Sequence, residues 1–320
     1  MNHNKFKVDN FQQIHFDFLN SVVSINENED FDFHITGTGY SYDMNKLKNL
    51  IIFTYFLSPD KMYQLKFPNN ILITPNTNVY GEIDVENKNI IYTPFYDDKF
   101  FSFCVYNNKP KYTIGAVRNC EQYTKEYTDY KSLFFIRNDV PQEIIDEIKS
   151  KNGSVIKTLF LPDWFMMFTR FLPLENCKFN SSRDTDGRLI KREIFVNNEF
   201  ITSDKKFHII RDHPYHSTEI LGGMWSSKNF NISNLRFLIL DFCLKNMNRI
   251  TMPMGHDQNF LKNYIYQLIN NEYLLTHDNY FNYTKNKTKI TIPRENKEYI
   301  GEPYDENNQY EIKLRNAIRD

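Results

Sequence analysis

Two carboxylates one residue apart, Asp184 and Asp186 in the run CKFNSSRDTDGRL (177–189), carry the strongest chemical signal in the chain. On a turn that follows a strand, such a pair projects two hard oxygen ligands from unpaired backbone. Mg²⁺ or Mn²⁺ accepts one or two carboxylate oxygens and leaves its other positions to phosphate oxygens and water. An ion held in this way neutralises a diphosphate and assists its departure as a Lewis acid. Three residues alone also describe an ordinary solvated turn, so the neighbours have to decide.

Those neighbours are polar and fall at the ends of apolar runs. DWFMMFTRFLPLE (163–175) reads as a buried helix carrying Arg170, whose permanent charge and forked donors suit phosphate or a surface ion pair. KFHIIRDHPYH (206–216) reads as a strand running into Arg211, Asp212 and His213. A zinc site at His213 and His216 is disfavoured, because Pro214 prevents a regular helix and no cysteine or third histidine lies nearby. In EILGGMWSS (219–227), Gly222 and Gly223 permit close backbone approach to a ligand. GHDQNFLKNYIY (255–266) opens a helix with Asp257 and Gln258 at its N-terminus, where Asp257 also suits a cap. YLLTHDNYF (273–281) ends an apolar run at His277, a metal ligand or a satisfied core histidine.

Positioning these groups requires a sheet. FFSFCVYN (100–107), SLFFIRND (132–139) and SVIKTLF (154–160) are near-continuous apolar runs of strand length. Between them lie two helical patterns, one with Ile114, Val117, Cys120, Tyr123 and Tyr127, the other with Ile144, Ile145 and Ile148 between Pro141 and Gly153. This β-α-β-α-β alternation predicts a parallel sheet covered by helices. Ligands of such sheets bind outside the carboxyl ends of the strands. Tyr106 and Asn107, Asn138 and Asp139, and the Asp184–Asp186 pair fall there. Tyr106 suits stacking on a base, although an aromatic at a strand end needs no ligand to explain it.

Before residue 96 the rhythm differs. LIIFTYFL (50–57), NILITP (70–75), VYGEIDV (79–85) and NIIYTPF (89–95) are short runs broken by Asn, Pro and Asp, which predicts a small β-rich module. The organisation read from the sequence is therefore a β-rich module over 1–95, an α/β domain over 96–285 and a C-terminal extension over 286–320. No chemistry is legible in the first of these.

Composition bounds the partners. The 320 residues carry a net charge of −1, so no global basic field favours nucleic acid or anionic membrane. No Gly-x-Gly-x-x-Gly or Walker A sequence is present, so bound phosphate must be met by a metal or by basic side chains. No run of about 18 apolar residues predicts a membrane span. The polar start MNHNKFKVDNFQQIHF lacks a signal peptide's apolar region, and four scattered cysteines fit a reducing, cytoplasmic setting. Alanine is nearly absent while Asn, Lys, Ile, Phe and Tyr abound, the signature of AT-rich codons.

The order of these motifs resembles the GT-A fold of nucleotide-sugar glycosyltransferases, most closely the retaining group of glycogenin and the bacterial lipopolysaccharide galactosyltransferases. The matching stations are Arg170-Phe171, Asp184-Thr185-Asp186, Leu221-Gly222-Gly223, Asp257-Gln258 and His277. The series RDTDGRL, FHIIRDHPYH, GGMW and GHDQ is also similar to glycosyltransferases of large DNA viruses, giant viruses among them. Together the stations span roughly Lys99 to Phe281. The resemblance implies a Rossmann-like α/β fold, with a mixed, mostly parallel sheet flanked by helices. It implies a UDP-sugar donor of the glucose, galactose or N-acetylglucosamine type, a glycan or protein acceptor, and transfer with retention. Homo-oligomerisation is compatible with it.

By the same resemblance Asp184, Asp186 and His277 hold Mn²⁺ or Mg²⁺, and Arg170 pairs with the diphosphate. Tyr106 and Asn107 meet the nucleotide, and Arg211, Asp212 and His213 grip donor-sugar hydroxyls. Asp257, Gln258 and Asp212 are the candidate catalytic groups, with Asp257 and Gln258 near the anomeric carbon. Two positions depart from the pattern: Leu221 replaces the family's Asn, and the family's His-x-x-Gly-x-x-Lys-Pro-Trp ending is missing after His277. The alternatives are a nucleotide-sugar-binding module with a decayed active site, and a phosphohydrolase. The latter is disfavoured because its Asp-x-Asp sits early in the chain.

Overall fold

The computed structural model describes residues 98–158, 163–232 and 255–318, the helix Leu235–Asn246, and six strands nearer the N-terminus. The chain divides into two compact units, one of residues 1–93, 157–161 and 236–249, the other of residues 94–156, 162–235 and 250–320.

In the first unit β1 (Val22–Glu27), β2 (Phe31–Thr36), β3 (Tyr63–Lys66) and β4 (Leu72–Ile73) form one sheet in that order. A separate antiparallel pair, β5 (Gly81–Asp84) and β6 (Asn89–Tyr92), follows. The runs expected as strands at 70–75, 79–85 and 89–95 contain β4, β5 and β6. The expected strand at 50–57 lies outside the described residues.

The larger sheet comprises β7 (Lys99–Val105), β8 (Lys131–Arg137), β9 (Ser154–Thr158), β10 (Phe179–Arg183), β11 (Phe207–Arg211), β12 (Met224–Lys228), β13 (Leu274–Asp278) and β14 (Lys287–Thr288). Their spatial order is β14-β13-β11-β12-β10-β7-β8-β9. The pairs β7–β8, β7–β10, β11–β13 and β13–β14 are parallel, whereas β12 runs antiparallel to both β10 and β11. This is the α/β class read from the sequence, a mixed and mostly parallel sheet flanked by helices. The flanking helices are α1 (Pro110–Glu126), α2 (Gln142–Ser150), α3 (Asp163–Thr169), α4 (Lys191–Thr202) and the short α6 (His256–Phe260). Helix α5 (Leu235–Asn246) falls almost wholly in the first unit, and α7 (Ile312–Asn316) lies near the C-terminus.

Strand alternation decides what each face buries. Phe101, Phe103 and Val105 of β7, Phe134 and Ile136 of β8, and Phe179 of β10 form one core. They pack with Val117, Cys120 and Tyr123 of α1, Ile145 and Ile148 of α2, and Phe200 of α4. Phe103 and Phe134 stack at 4.8 Å between ring centroids. Each such ring contributes about 1.5–3 kcal/mol when fully buried, so the aromatics supply much of the apolar surface that docks the helices. On the opposite face Trp225 stacks on Phe207 at 5.3 Å and meets Phe171, which lies 6.5 Å from Phe260 of α6. Buried on both faces, β7 and β8 read as near-continuous apolar runs in sequence.

Candidate functional site

Alternation along β10 delivers the central carboxylate. Phe179 and Arg183 point toward α1 and α4, where Arg183 Nε bonds Glu193 at 2.5 Å. Ser182 belongs to the other face, and its hydroxyl donates to the Gly222 carbonyl at 2.7 Å. Two residues on, Asp184 leaves the strand on that same side and receives Arg170 Nη1. Gly187 N–H then closes a turn onto Asp184 O at 3.3 Å, with Asp first and Gly fourth, the residues that β-turns favour there.

The turn's carbonyls are held from three directions. Asn119 Nδ2, on α1, donates to Thr185 O at 2.9 Å and to Gly187 O at 3.1 Å. Arg188 Nη1 donates to Gly187 O at 2.6 Å. Tyr304 N–H, from the C-terminal segment, donates to Asp186 O at 2.8 Å. Fixing the backbone leaves the two carboxylates as the turn's adjustable groups. Their side chains are 47% (Asp184) and 19% (Asp186) exposed.

Arg170 sits in the break between α3 and the 3₁₀ turn Leu172–Glu175. It is buried between two acids, Asp184 on Nη1 and Asp257 on Nη2 at 2.7 Å. The backbone of Gly222 and Gly223 presses against this cluster. A Cβ at Gly222 would lie 2.5 Å from Arg170 Nη2, and one at Gly223 would overlap the Asp184 carboxylate and lie 2.9 Å from its backbone nitrogen. The close backbone approach made by this glycine pair is to the Arg170 cluster, whereas the sequence reading directed it to a ligand. Gly223→Ala is expected to cost about 1–3 kcal/mol in urea titration. Gly187→Ala is the control: its Cβ would meet Asp184 O at an ordinary 3.5 Å. It should stay within about 0.5 kcal/mol of the parent. Equal losses in both would remove the steric explanation.

Asp186 faces Lys111 Nζ at 2.9 Å, from the first turn of α1. Burial pushes the Asp186 carboxyl above the usual carboxylate range, the Asp184 charge pushes it the same way, and Lys111 opposes both. Burial likewise pushes the Asp257 carboxyl up, against the pull of Arg170. Three acids and two cations therefore crowd one strand end. Such perturbed groups cluster where charge is to be handled.

Other residues singled out by sequence are placed as follows. Tyr106 lies half-buried at the end of β7 with the Arg137 guanidinium 5.5 Å from its ring centroid. Asn107 takes a left-handed φ of 58°, and its N–H donates to Asp139 Oδ2 at 3.1 Å. Both lie at the same carboxyl edge as the Asp184 turn, because β7, β8 and β10 are parallel. Gln258 follows Asp257 on α6, half-buried, and its N–H bonds the Asp257 carboxylate.

His277 is not delivered to the Asp184–Asp186 pair as a third ligand. It lies within β13, fully buried, with Nε2 2.9 Å from Glu199 Oε2 and Nδ1 2.8 Å from His208 Nε2. Burial lowers its basicity, which favours the neutral ring. A carboxylate only accepts, so Nε2 carries the proton and Nδ1 accepts from His208, leaving no lone pair for a metal.

Arg211, Asp212 and His213 have their polar atoms committed elsewhere, which removes Asp212 as a catalytic group and the trio as sugar ligands. Arg211 Nε pairs with Asp278 at 2.7 Å, both side chains fully buried. Asp212 is enclosed by Arg192, Arg294 and Ile300 N–H. His213 donates through Nε2 to Leu314 O at 2.9 Å and accepts Tyr215 N–H on Nδ1. With both nitrogens used, it offers zinc nothing either.

Sequence reading missed Lys111, Asn119, Arg188 and Tyr304. Lys111 had one usable signal: a cation just after Pro110, at a helix start that follows a strand end. Tyr304 had none, because its role is a backbone bond across 118 positions to Asp186.

Among the described residues no group of three or more His, Cys, Asp or Glu side chains could hold a metal. The donor set at the turn is two carboxylates. That fits Mg²⁺ or Mn²⁺ held by one or two carboxylates and completed by phosphate oxygens and water, and not an all-protein cage. No helix among the described residues is long and apolar enough to cross a membrane.

No protein-family model and no curated protein sequence matches the chain. Among solved structures it is similar to the 4-diphosphocytidyl-2C-methyl-D-erythritol synthase of Anaerococcus prevotii. That match has a TM-score of 0.35 and 11% identity, over 56% of this chain and 87% of that one. It is also similar to the mannosyltransferase Ktr4p of S. cerevisiae, with a TM-score of 0.24 and 11% identity over 75% of this chain and 61% of that one. The Ktr4p complex with GDP gives a TM-score of 0.25 and 10% identity, over 75% of this chain and 62% of that one. At such scores these likenesses are distant, and the functional reading rests on the geometry of the turn and its cations.

Proposed function

We propose that the chain is a glycosyltransferase of GT-A type that moves a hexose from a UDP-sugar to a hydroxyl of a glycan or protein acceptor, with Mg²⁺ or Mn²⁺. The observation that carries this reading is the clamped turn Asp184–Gly187 at the carboxyl end of β10, its two acids facing Arg170 and Lys111. A divalent cation bound there would supply Lewis-acid stabilisation of the leaving diphosphate. The protein's own part is positional. Asn119, Arg188 and Tyr304 hold the turn's carbonyls, so its backbone needs no reorganisation when charge arrives. Arg170, with Asp184 and Asp257 bound to it, stays charged in a buried setting, since those acids outweigh its burial. Gln258, next to Asp257 on α6, offers an amide to the sugar side. Retention follows the resemblance of the motif order, and the 1–95 module is proposed as a separate part of the chain; residues 286–320, read from the sequence as an extension, instead supply β14 and the Tyr304 tether within the unit that holds the site.

The test is UDP binding by calorimetry with and without Mn²⁺. The parent should bind UDP only with the cation, and Asp186→Asn should weaken binding by about 100-fold or more. Metal-independent binding, or none, would overturn the assignment. Incubation with Mn²⁺ and a panel of UDP-sugars should release UDP slowly. Binding without release from any donor would mark the binding module with a decayed site, the reading that Leu221 motivates.

A further inference from the structure

Resting on the reading of Asp184 and Asp186 as the metal–diphosphate site, we propose that Lys111 is a resident counter-ion: it holds Asp186 while the divalent cation is absent, and turns to the donor's diphosphate when the cation takes that carboxylate.

The root of Lys111 is fixed and its tip is not. It is the second residue of α1, a 17-residue helix whose start is set by Pro110. The same helix is tied to the turn through Asn119, about two turns further on. Its ammonium reaches Asp186 Oδ2 at 2.9 Å on a side chain 37% exposed. A compact charge on a four-carbon stem can be redirected without moving backbone. Other groups stand ready around it. The Glu311 carboxylate acts on Lys111 electrostatically, and the Tyr112 ring centroid lies 5.4 Å from Nζ.

Arg170 differs in each respect. It is buried, bonded to Asp184 and Asp257 at once, and packed against Gly222. Its Nε–H is buried with no acceptor among the described residues, a donor in the same cluster that an added anion or water would satisfy. The two cations thus divide the work: Arg170 fixes Asp184 and Asp257, and Lys111 moves between ligands.

Charge counting gives the order of events. Asp184, Asp186 and Asp257 against Arg170 and Lys111 leave one net negative charge. A divalent ion at Asp186 would compete with Lys111 for that carboxylate and repel the ammonium. A diphosphate arriving with that ion then provides new anionic oxygens beside the released ammonium. One residue therefore opposes binding of the bare metal and favours binding of the metal–diphosphate pair.

That opposition of signs is testable on the full chain. Lys111→Met keeps the stem and removes the charge, while Lys111→Arg keeps the charge. Free Mn²⁺ would be followed by its electron-spin-resonance signal during titration, and UDP binding at saturating Mn²⁺ by calorimetry. Lys111→Met should bind Mn²⁺ alone about threefold more tightly and UDP about tenfold more weakly. Lys111→Arg should stay within roughly threefold of the parent in both. Unchanged or weaker Mn²⁺ binding in Lys111→Met, or unchanged UDP binding, would overturn the exchange while leaving the site intact. A parent that binds neither Mn²⁺ nor UDP would overturn the site itself, and the exchange with it.

Discussion

Replacing Arg170 by methionine is expected to lower the stability of the sheet-bearing unit by about 3–5 kcal/mol at neutral pH and to abolish nucleotide binding. Among the described residues Arg170 is the one basic side chain bonded to Asp257, whose own side chain is 3% exposed. Without the guanidinium a buried carboxylate is left beside a second one, Asp184, which also acts on it electrostatically. Breaking one partner of a buried pair costs far more than the pair contributes, because the survivor cannot recover its water. The double variant Arg170→Met with Asp257→Asn should therefore regain most of the lost stability. Nucleotide binding should not return, since the donor facing Asp184 is still absent. Urea titration of the four combinations gives the coupling energy directly. Additive effects would contradict the shared buried pair.

The same deficit should depend on pH, and the sign follows from Asp257. Burial raises its carboxyl in the folded protein, and Arg170 pulls it down. A raised carboxyl binds its proton more readily folded than unfolded, so its contribution to stability falls as pH rises through the folded value. Removing Arg170 takes away the opposing pull and moves that value further up. The loss in Arg170→Met should be smallest in acid, where Asp257 is protonated, and reach full size near neutrality. Titrations between about pH 5 and 8 would follow it. A loss independent of pH would assign it to packing of the side chain.

Which parts of this site were legible in the sequence follows from how far apart its partners lie. The strands and helices from Lys99 to Thr158 were readable because each face is a local period: Phe101, Phe103 and Val105 on one side of β7, Ile145 and Ile148 on one side of α2. Asp184 and Asp186 were readable because a turn needs only four consecutive residues. Arg170 was named, but its commitment to both Asp184 and Asp257, 14 and 87 residues away, was not. The antiparallel β12 was invisible, since MWSSK looks alike in either direction. Reading His277 as a ligand failed for a similar reason: a histidine at the end of an apolar run gives no sign that Glu199 and His208 take both its nitrogens. Asp212 repeats the lesson, because the arginines that enclose it come from α4 and from residue 294.

Asp212 also supports the prediction with the longest reach. Arg192 approaches its carboxylate with Nε at 2.8 Å and Nη2 at 3.0 Å, Arg294 with Nη2 at 2.7 Å and Nη1 at 3.0 Å, and Ile300 N–H at 3.1 Å. Every partner is a donor and the side chain is fully buried, so only an ionised acid satisfies them all. Asp212→Ala leaves two buried guanidinium groups without their acid and should cost about 3–5 kcal/mol, a large part of a typical domain's 5–15. Asp212→Asn should recover little of this, because its amide presents two hydrogens to a ring of donors. The effect should also travel. Arg294 and Ile300 tether the segment whose Tyr304 N–H holds Asp186 O, and Arg188, which grips the same turn, bonds Asn308 at 2.9 Å. Loosening that segment should speed amide exchange from about residue 290 to 304 and weaken Mn²⁺-dependent UDP binding, although Asp212 itself touches neither carboxylate. Faster exchange with unchanged affinity would show that Asn119 and Arg188 suffice to hold the turn. Normal exchange throughout would mean that the tether lies elsewhere.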